Sequence, residues 1–138
     1  MAARILVVDD DPCMRDLLKL HLSNAGYEVR IAEDALVAGR MILSSPPELL
    51  LVDVEMPYMN GIDFVATMLA DQTIPYIPVV FLTSRGDDFA AQAEALGALY
   101  LKKPCGADVV VYTVERQLVR ASQAEARAGL RFPAAHAA

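Results

Sequence analysis

Two hydrophobic patterns alternate along this chain. The first is a short run of Leu, Ile and Val with no polar interruption. It occurs at Arg4 to Val8, at Leu49 to Val52 and at Val79 to Leu82. Such runs suit strands buried on both faces, as in a parallel sheet covered by helices. Ala98 to Lys102 reads as a further strand, and the alternating Glu28 to Ala32 as a short outer one. Between them lie segments with apolar residues at helical spacing. Met14, Leu17, Leu18, Leu22 and Ala25 place one face of a first helix in the core. Ile62, Val65, Met68 and Leu69 do the same for a third.

Punctuation residues bound these elements. Asp11 followed by Pro12 is a helix-entry signature, because the carboxylate can cap free N–H groups and proline fits the first turn. Gly26 suits the end of that helix. Asp34 can cap a second helix, Ala35 to about Ser44, although Gly39 weakens it. Pro57 stops the central strand, and Met59, Asn60 and Gly61 turn the chain into the third helix. Asp87 and Asp88 open a fourth helix, Phe89 to about Leu96, and Gly97 closes it. A fifth helix starts at Gly106 to Asp108. Its Val109, Val110 and Val111 favour strand, but its length and Glu115, Arg116 and Gln117 favour helix. Five strands alternating with five helices predict an α/β domain with a parallel sheet and right-handed crossovers.

Composition narrows the class. With 138 residues, 55% of them hydrophobic, the chain suits one compact domain with a real core. No apolar run is long enough to span a bilayer, and the start shows no secretory pattern. We therefore expect a cytoplasmic protein without membrane association, and reduced thiols at Cys13 and Cys105, which have no metal-ligand spacing. A net charge of −6 argues against direct nucleic-acid binding.

The chemistry lies at the strand ends. The run Leu49 to Val52 ends on Asp53, an acid with little packing value, since ionised groups are costly to desolvate. The carboxyl ends of strands are where open α/β sheets bind ligands. Four strands end in polar residues that can meet in one crevice: Asp9 and Asp10, Asp53, Thr83, and Lys103. Each is weak evidence alone. Asp9 to Asp11 can be a solvated capping run, and Thr83 an ordinary strand-end hydroxyl. Together they point to a site.

At this point the chain resembles the receiver domain of bacterial two-component response regulators, such as the chemotaxis regulators. The matching stretches are Ile5 to Pro12, Leu51 to Pro57 with Gly61, Phe81 to Ser84, and Gly97 to Pro104. The resemblance implies a receiver domain over residues 4–120. It also implies the flavodoxin-like fold, a doubly wound five-stranded parallel sheet of order 2-1-3-4-5 flanked by five helices. By the same resemblance Asp53 is the phosphoacceptor, Thr83 the switch hydroxyl, Tyr100 the switch aromatic and Lys103 the basic partner. Asp9, Asp10, Asp53 and the backbone carbonyl of Glu55 would hold Mg²⁺, with Mn²⁺ as the alternative. The peptide bond before Pro104 is expected to be cis. Tyr100 is expected to turn from exposed to buried when Thr83 moves inward.

The implied partners are a histidine kinase or histidine phosphotransfer protein, which donates the phosphoryl group, and a downstream protein or output domain. The chain is expected to be a self-phosphorylating and autodephosphorylating signalling domain, not an enzyme. Two positions depart from the family pattern. Glu55 adds an acid beside the crevice, with an effect whose sign the sequence does not give. Cys105 stands where the family often has Phe, which is expected to loosen packing there. Residues 121–138 hold eight alanines, with Gly129 and Pro133 as breakers. They read as a helical extension to about Ala128 followed by a tail. The chain is either a stand-alone receiver or the receiver part of a longer regulator. Apolar residues on more than one face of the last helix predict a homodimer through the fourth and fifth helices. Two rivals stay in view. A Mg²⁺ phosphatase would use an aspartyl nucleophile at the first strand, with Asp9 and Asp11 as its acid pair. A flavodoxin would need a Ser/Thr/Gly-rich phosphate loop, which does not follow the first strand.

Overall fold

A computed structural model describes residues 2–85 and 87–131. The strands are β1 (Arg4–Val8), β2 (Glu28–Ala32), β3 (Leu49–Asp53), β4 (Val79–Thr83) and β5 (Leu99–Lys102). The helices are α1 (Pro12–Asn24), α2 (Ala35–Ser44), α3 (Gly61–Ala70), α4 (Ala90–Ala95) and α5 (Ala107–Arg131). All strand pairs are parallel, in the order β2-β1-β3-β4-β5.

The apolar runs explain the layering. Side chains alternate across a strand, so each run feeds two cores. Leu6, Val8, Leu50, Val52, Val79 and Phe81 face α2, α3 and α4. Ile5, Val7, Leu49, Leu51, Val80 and Leu82 face α1 and α5. The central strands β1, β3 and β4 are therefore buried on both sides, while edge strand β2 is half-buried along most of its length.

The expected caps are present. Asp11 accepts a hydrogen bond from the Cys13 amide at 3.0 Å, and Asp34 from the Val37 amide at 2.9 Å. Gly26 and Gly97 adopt positive φ, at 98° and 69°. The Lys103–Pro104 peptide is cis.

Several local expectations need correction. Leu17 and Ala25 are exposed, so the buried stripe of α1 is Leu18 and Leu22, with Met14 packed partly against it. Phe64, not assigned to the inner side of α3, is buried there. The fourth helix begins as a 3₁₀ turn at Asp87–Phe89 and becomes α-helical only at Ala90. Residues 107–131 form one helix, so Gly129 does not end it. A glycine inside a helix costs only about 1 kcal/mol relative to alanine. Pro133 and the rest of the expected tail lie outside the described residues.

α5 also carries a buried polar side chain. Gln117 is 2% exposed. Its Nε2 donates to the Val79 carbonyl at 2.8 Å and to the Gly97 carbonyl at 3.1 Å. It thus ties α5 to the start of β4 and the turn before β5. Gln117→Leu leaves both carbonyls without this donor, and we expect a loss of about 2 kcal/mol. Urea unfolding checks it; a stability equal to wild type would show the contacts to be dispensable.

Candidate functional site

Parallel register brings the strand ends together. Val8 pairs with Val52, so Asp9 follows one strand as Asp53 ends its neighbour. Asp53 pairs with Leu82, and Thr83 with Lys102. Lys103 then follows β5, its amide bonded to the Thr83 carbonyl at 2.8 Å.

Asp9 and Asp53 are buried and Asp10 is exposed. One carboxylate oxygen from each lies within 4.8 Å of the others. Lys103 Nζ sits between two of them, 3.2 Å from Asp9 Oδ2 and 3.2 Å from Asp53 Oδ2. The other oxygens are held by the backbone. Asp9 Oδ1 accepts from the Asp11 amide at 3.0 Å, and Asp53 Oδ1 from the Glu55 amide at 3.3 Å. Arg15 Nη1 donates to the Asp9 carbonyl at 2.9 Å and braces this corner.

This leaves two buried carboxylates, one largely covered ammonium and a third acid at the rim. Burial is the chief cause that pushes the Asp53 carboxyl up, to about 7, and the Asp9 charge adds to it. Lys103 and the Glu55 amide work in the opposite direction without cancelling them. Burial works to lower the Lys103 ammonium, but Asp53 and Asp9 outweigh it, and the net shift is upward. Lys103 therefore stays charged at neutral pH. The site holds more negative charge than one ammonium can balance. Hard oxygen donors with excess negative charge fit a divalent cation such as Mg²⁺, which is bound by one or two carboxylates plus waters or phosphate oxygens.

Thr83 is fully buried but does not reach Asp53 in the contacts observed. Its Oγ1 donates to Glu55 Oε1 at 3.1 Å and accepts from the Arg85 amide at 3.0 Å. The same Glu55 oxygen accepts from Ser84 Oγ at 3.3 Å and lies 3.9 Å from Arg85 Nε. Glu55 meets the site by its amide and by this outward-facing side chain. Tyr100 stands apart from the carboxylates. It is half-buried, not exposed, and packs edge-on against Phe89 at 5.9 Å; Phe89 in turn packs edge-on against Phe81 at 5.3 Å. Cys13 and Cys105 are free thiols; burial pushes the Cys105 thiol up, against the pull of Lys103, which disfavours a reactive thiolate.

Sequence reasoning missed the Glu55 contacts to Thr83, Ser84 and Arg85. It marked Glu55 as an unusual acid, but a bond between side chains 28 positions apart leaves no periodic trace.

Known proteins resemble this chain in sequence and fold. The family model of the response regulator receiver domain matches residues 5–115. A protein-glutamate methylesterase/protein-glutamine glutaminase of Anaeromyxobacter dehalogenans is 35% identical over 95% of this chain and 38% of its own length. The DNA-binding response regulator MtrA of Mycolicibacterium smegmatis is 34% identical over 87% of this chain and 52% of its own. The chain thus spans about a third to a half of these curated relatives. Among solved structures, the chemotaxis response regulator CheY4 of Vibrio cholerae superposes with a TM-score of 0.78 at 29% identity, covering 84% of this chain and 98% of that one. NtrX from Brucella abortus gives a TM-score of 0.85 at 32% identity, covering 94% of this chain and 30% of its own. With the sheet order, the strand-end carboxylates and the lysine before the cis proline already in place, the chain belongs to the response regulator receiver domain family.

Proposed function

We propose that Asp53 accepts a phosphoryl group from a phosphohistidine on a histidine kinase or phosphotransfer protein, with Mg²⁺ bound. The observation that carries this reading is Asp53 itself, a buried carboxylate that shares Lys103 with a second buried acid, Asp9, at the carboxyl ends of the strands. A packing role does not account for such a group.

The transfer is a displacement at phosphorus. A carboxylate oxygen of Asp53 forms the new P–O bond while the P–N bond to the donor imidazole breaks. Asp10 and Asp53 would ligate Mg²⁺ directly, with Asp9 acting through water and the Glu55 carbonyl as a further ligand. The ion supplies charge neutralisation for the transferred group when bound. Lys103 supplies the protein's own positive charge next to the attacking carboxylate. The Glu55 amide orients Asp53 by holding Oδ1. Hydrolysis of the acyl phosphate then returns free Asp53 and inorganic phosphate. We read the domain as a switch reset by its own hydrolysis, not as an enzyme turning over a separate substrate.

The added phosphoryl oxygens are strong acceptors. Thr83 is the hydroxyl that ends the adjoining strand. Its inward movement would open space beside Phe89 and Tyr100 and alter the face formed by α4, β5 and α5. That face is where we place the downstream partner or output domain. It also carries exposed Val109, Tyr112 and Val119, at 46%, 63% and 55%. We assign these to self-association through α4 and α5; sedimentation equilibrium should show a dimer whose population rises with protein concentration. A monomer mass at every concentration and in both phosphorylation states would reject that assignment.

The test of phosphoryl acceptance is intact mass after treatment with a small phosphodonor. We expect an adduct with Mg²⁺ and none after chelation. Absence of any adduct, and of beryllofluoride binding, under conditions that label a known receiver would overturn the reading.

A further inference from the structure

The only proton of the Thr83 hydroxyl is already committed. It is donated to Glu55 Oε1 at 3.1 Å, while the hydroxyl oxygen accepts from the Arg85 amide. A threonine hydroxyl has one O–H to give, and phosphoryl oxygens are acceptors only. The same proton cannot serve Glu55 and a phosphoryl group on Asp53 at once. Any state in which Thr83 bonds the phosphoryl group must first break its bond to Glu55.

Glu55 does more than hold one hydroxyl. The same oxygen takes Ser84 Oγ at 3.3 Å and lies 3.9 Å from Arg85 Nε. Three successive residues at the end of β4 are thus gathered on one carboxylate from the end of β3. A charged acceptor is stronger than a neutral one. Partial exposure weakens this one, because the Glu55 side chain is 38% and the Arg85 side chain 57% accessible. The balance is a contact strong enough to bias the resting state and weak enough to be displaced.

We propose that Glu55 is a resting-state latch, a positioning residue whose carboxylate stands in for the phosphoryl group as acceptor for Thr83 and holds the end of β4 in its inactive arrangement. The proposal rests on the phosphoacceptor reading above and adds a regulator to the same site. Binding of a phosphoryl group is then opposed by the population of the latched form, which lowers apparent affinity by the fraction not yet released. Removing the latch raises apparent affinity, and does so only while Thr83 is present to be held.

That dependence separates a latch from simple charge repulsion. Glu55 and the bound group are both anionic, so removing Glu55 would help binding on either account. Repulsion acts whether or not residue 83 has a hydroxyl. A latch on Thr83 does not. The backbone carbonyl of Glu55 is unchanged by a side-chain substitution, so its assigned ligand role is preserved in every variant.

The experiment is a double-mutant cycle read by isothermal titration calorimetry of beryllofluoride at fixed Mg²⁺. The four proteins are wild type, Glu55→Ala, Thr83→Ala and the double variant. We expect Glu55→Ala to tighten binding about fivefold in the wild-type background, in keeping with loss of a solvent-weakened charged hydrogen bond. In the Thr83→Ala background we expect the same change to give less than about twofold. An equal gain in both backgrounds would overturn the latch and leave the phosphoacceptor reading standing. No gain from Glu55→Ala would overturn it as well. No beryllofluoride binding by any of the four would overturn both.

Discussion

Asp53→Asn should abolish the phosphoryl adduct and, without metal, make the protein more stable at neutral pH. The first effect follows because an amide oxygen is a far weaker nucleophile than a carboxylate. The second follows from the surroundings of Asp53. Its folded-state pKa is raised from 3.8 to about 7, chiefly by burial and then by Asp9. The folded protein therefore holds a proton through a range where the unfolded chain has lost it. Where the folded state binds more protons, stability falls as pH rises. The wild-type contribution is full below about pH 4 and is lost progressively up to about pH 7.

An asparagine carries no charge and escapes that loss. Lys103 keeps Asp9 as its partner in the variant, since it contacts both acids in wild type. We expect the variant's advantage to be small near pH 4 and to reach on the order of 2 kcal/mol above pH 7, equivalent to several degrees in Tm. If the proposed site binds Mg²⁺, the ion should narrow it by favouring the ionised carboxylate of the wild type. Thermal unfolding of both proteins across this pH range, with and without Mg²⁺, checks the claim. A variant less stable than wild type at pH 8 in chelator would refute the idea that Asp53 is held ionised against its surroundings.

Gly61→Ala should destabilise the fold by about 3 kcal/mol, or about 10 °C in Tm. Its φ is not the reason. The amide of Gly61 bonds to the Val54 carbonyl at 2.9 Å, which draws the start of α3 against the end of β3. A Cβ there would collide with the Asp53 carbonyl oxygen and lie 3.1 Å from the Asp53 carbonyl carbon and the Val54 Cα. These are backbone atoms of the central strand and cannot turn aside as a flexible side chain would. Asn60, which caps α3 through the Asp63 amide at 2.9 Å, fixes the helix end in the same place. The strain falls on the backbone of Asp53 itself, so we also expect weaker Mg²⁺ binding in whatever fraction stays folded. Denaturant melts and Mg²⁺ titration provide the measurement; wild-type values in both would mean the β3–α3 turn is looser than this geometry requires.

The elements that form the sheet were legible because each follows from a local rule. Val79 to Leu82 is too short and too rich in β-branched and aromatic residues to read as other than a buried strand, and Asp11, Asp34 and Gly26 mark helix boundaries by well-understood backbone chemistry. The four strand-end groups were legible because parallel strands place their ends alike. What escaped was set by packing between distant segments. Leu17 fits the periodicity of α1, yet it is Leu18 and Leu22 that α1 buries, with Met14 partly packed beside them. Gln117 looks like a surface residue until two carbonyls across the sheet claim it. Tyr100 was expected outside and is half-covered, because it packs in a T-shaped pair with the buried ring of Phe89. Gly129 reads as a stop, but one glycine in an alanine-rich segment is a small penalty against a helix already formed. The acidic character of Glu55 was visible; its grip on Thr83 was not.

The length of α5 has a mechanical consequence. Among the described side chains Leu118 is the last large apolar residue of the stripe that packs on the sheet, and the helix runs on to Arg131. At 1.5 Å per residue this is a rod of about 20 Å. An α-helix resists twisting because every turn is bonded to the next. A small rotation of α5 where Val110 and Val114 meet the sheet would reappear as the same change of azimuth at Arg131, with a displacement enlarged by the lever arm wherever the helix also tilts. The rearrangement beside Tyr100 would need to move atoms by no more than a side chain's width to reorient a surface several turns away.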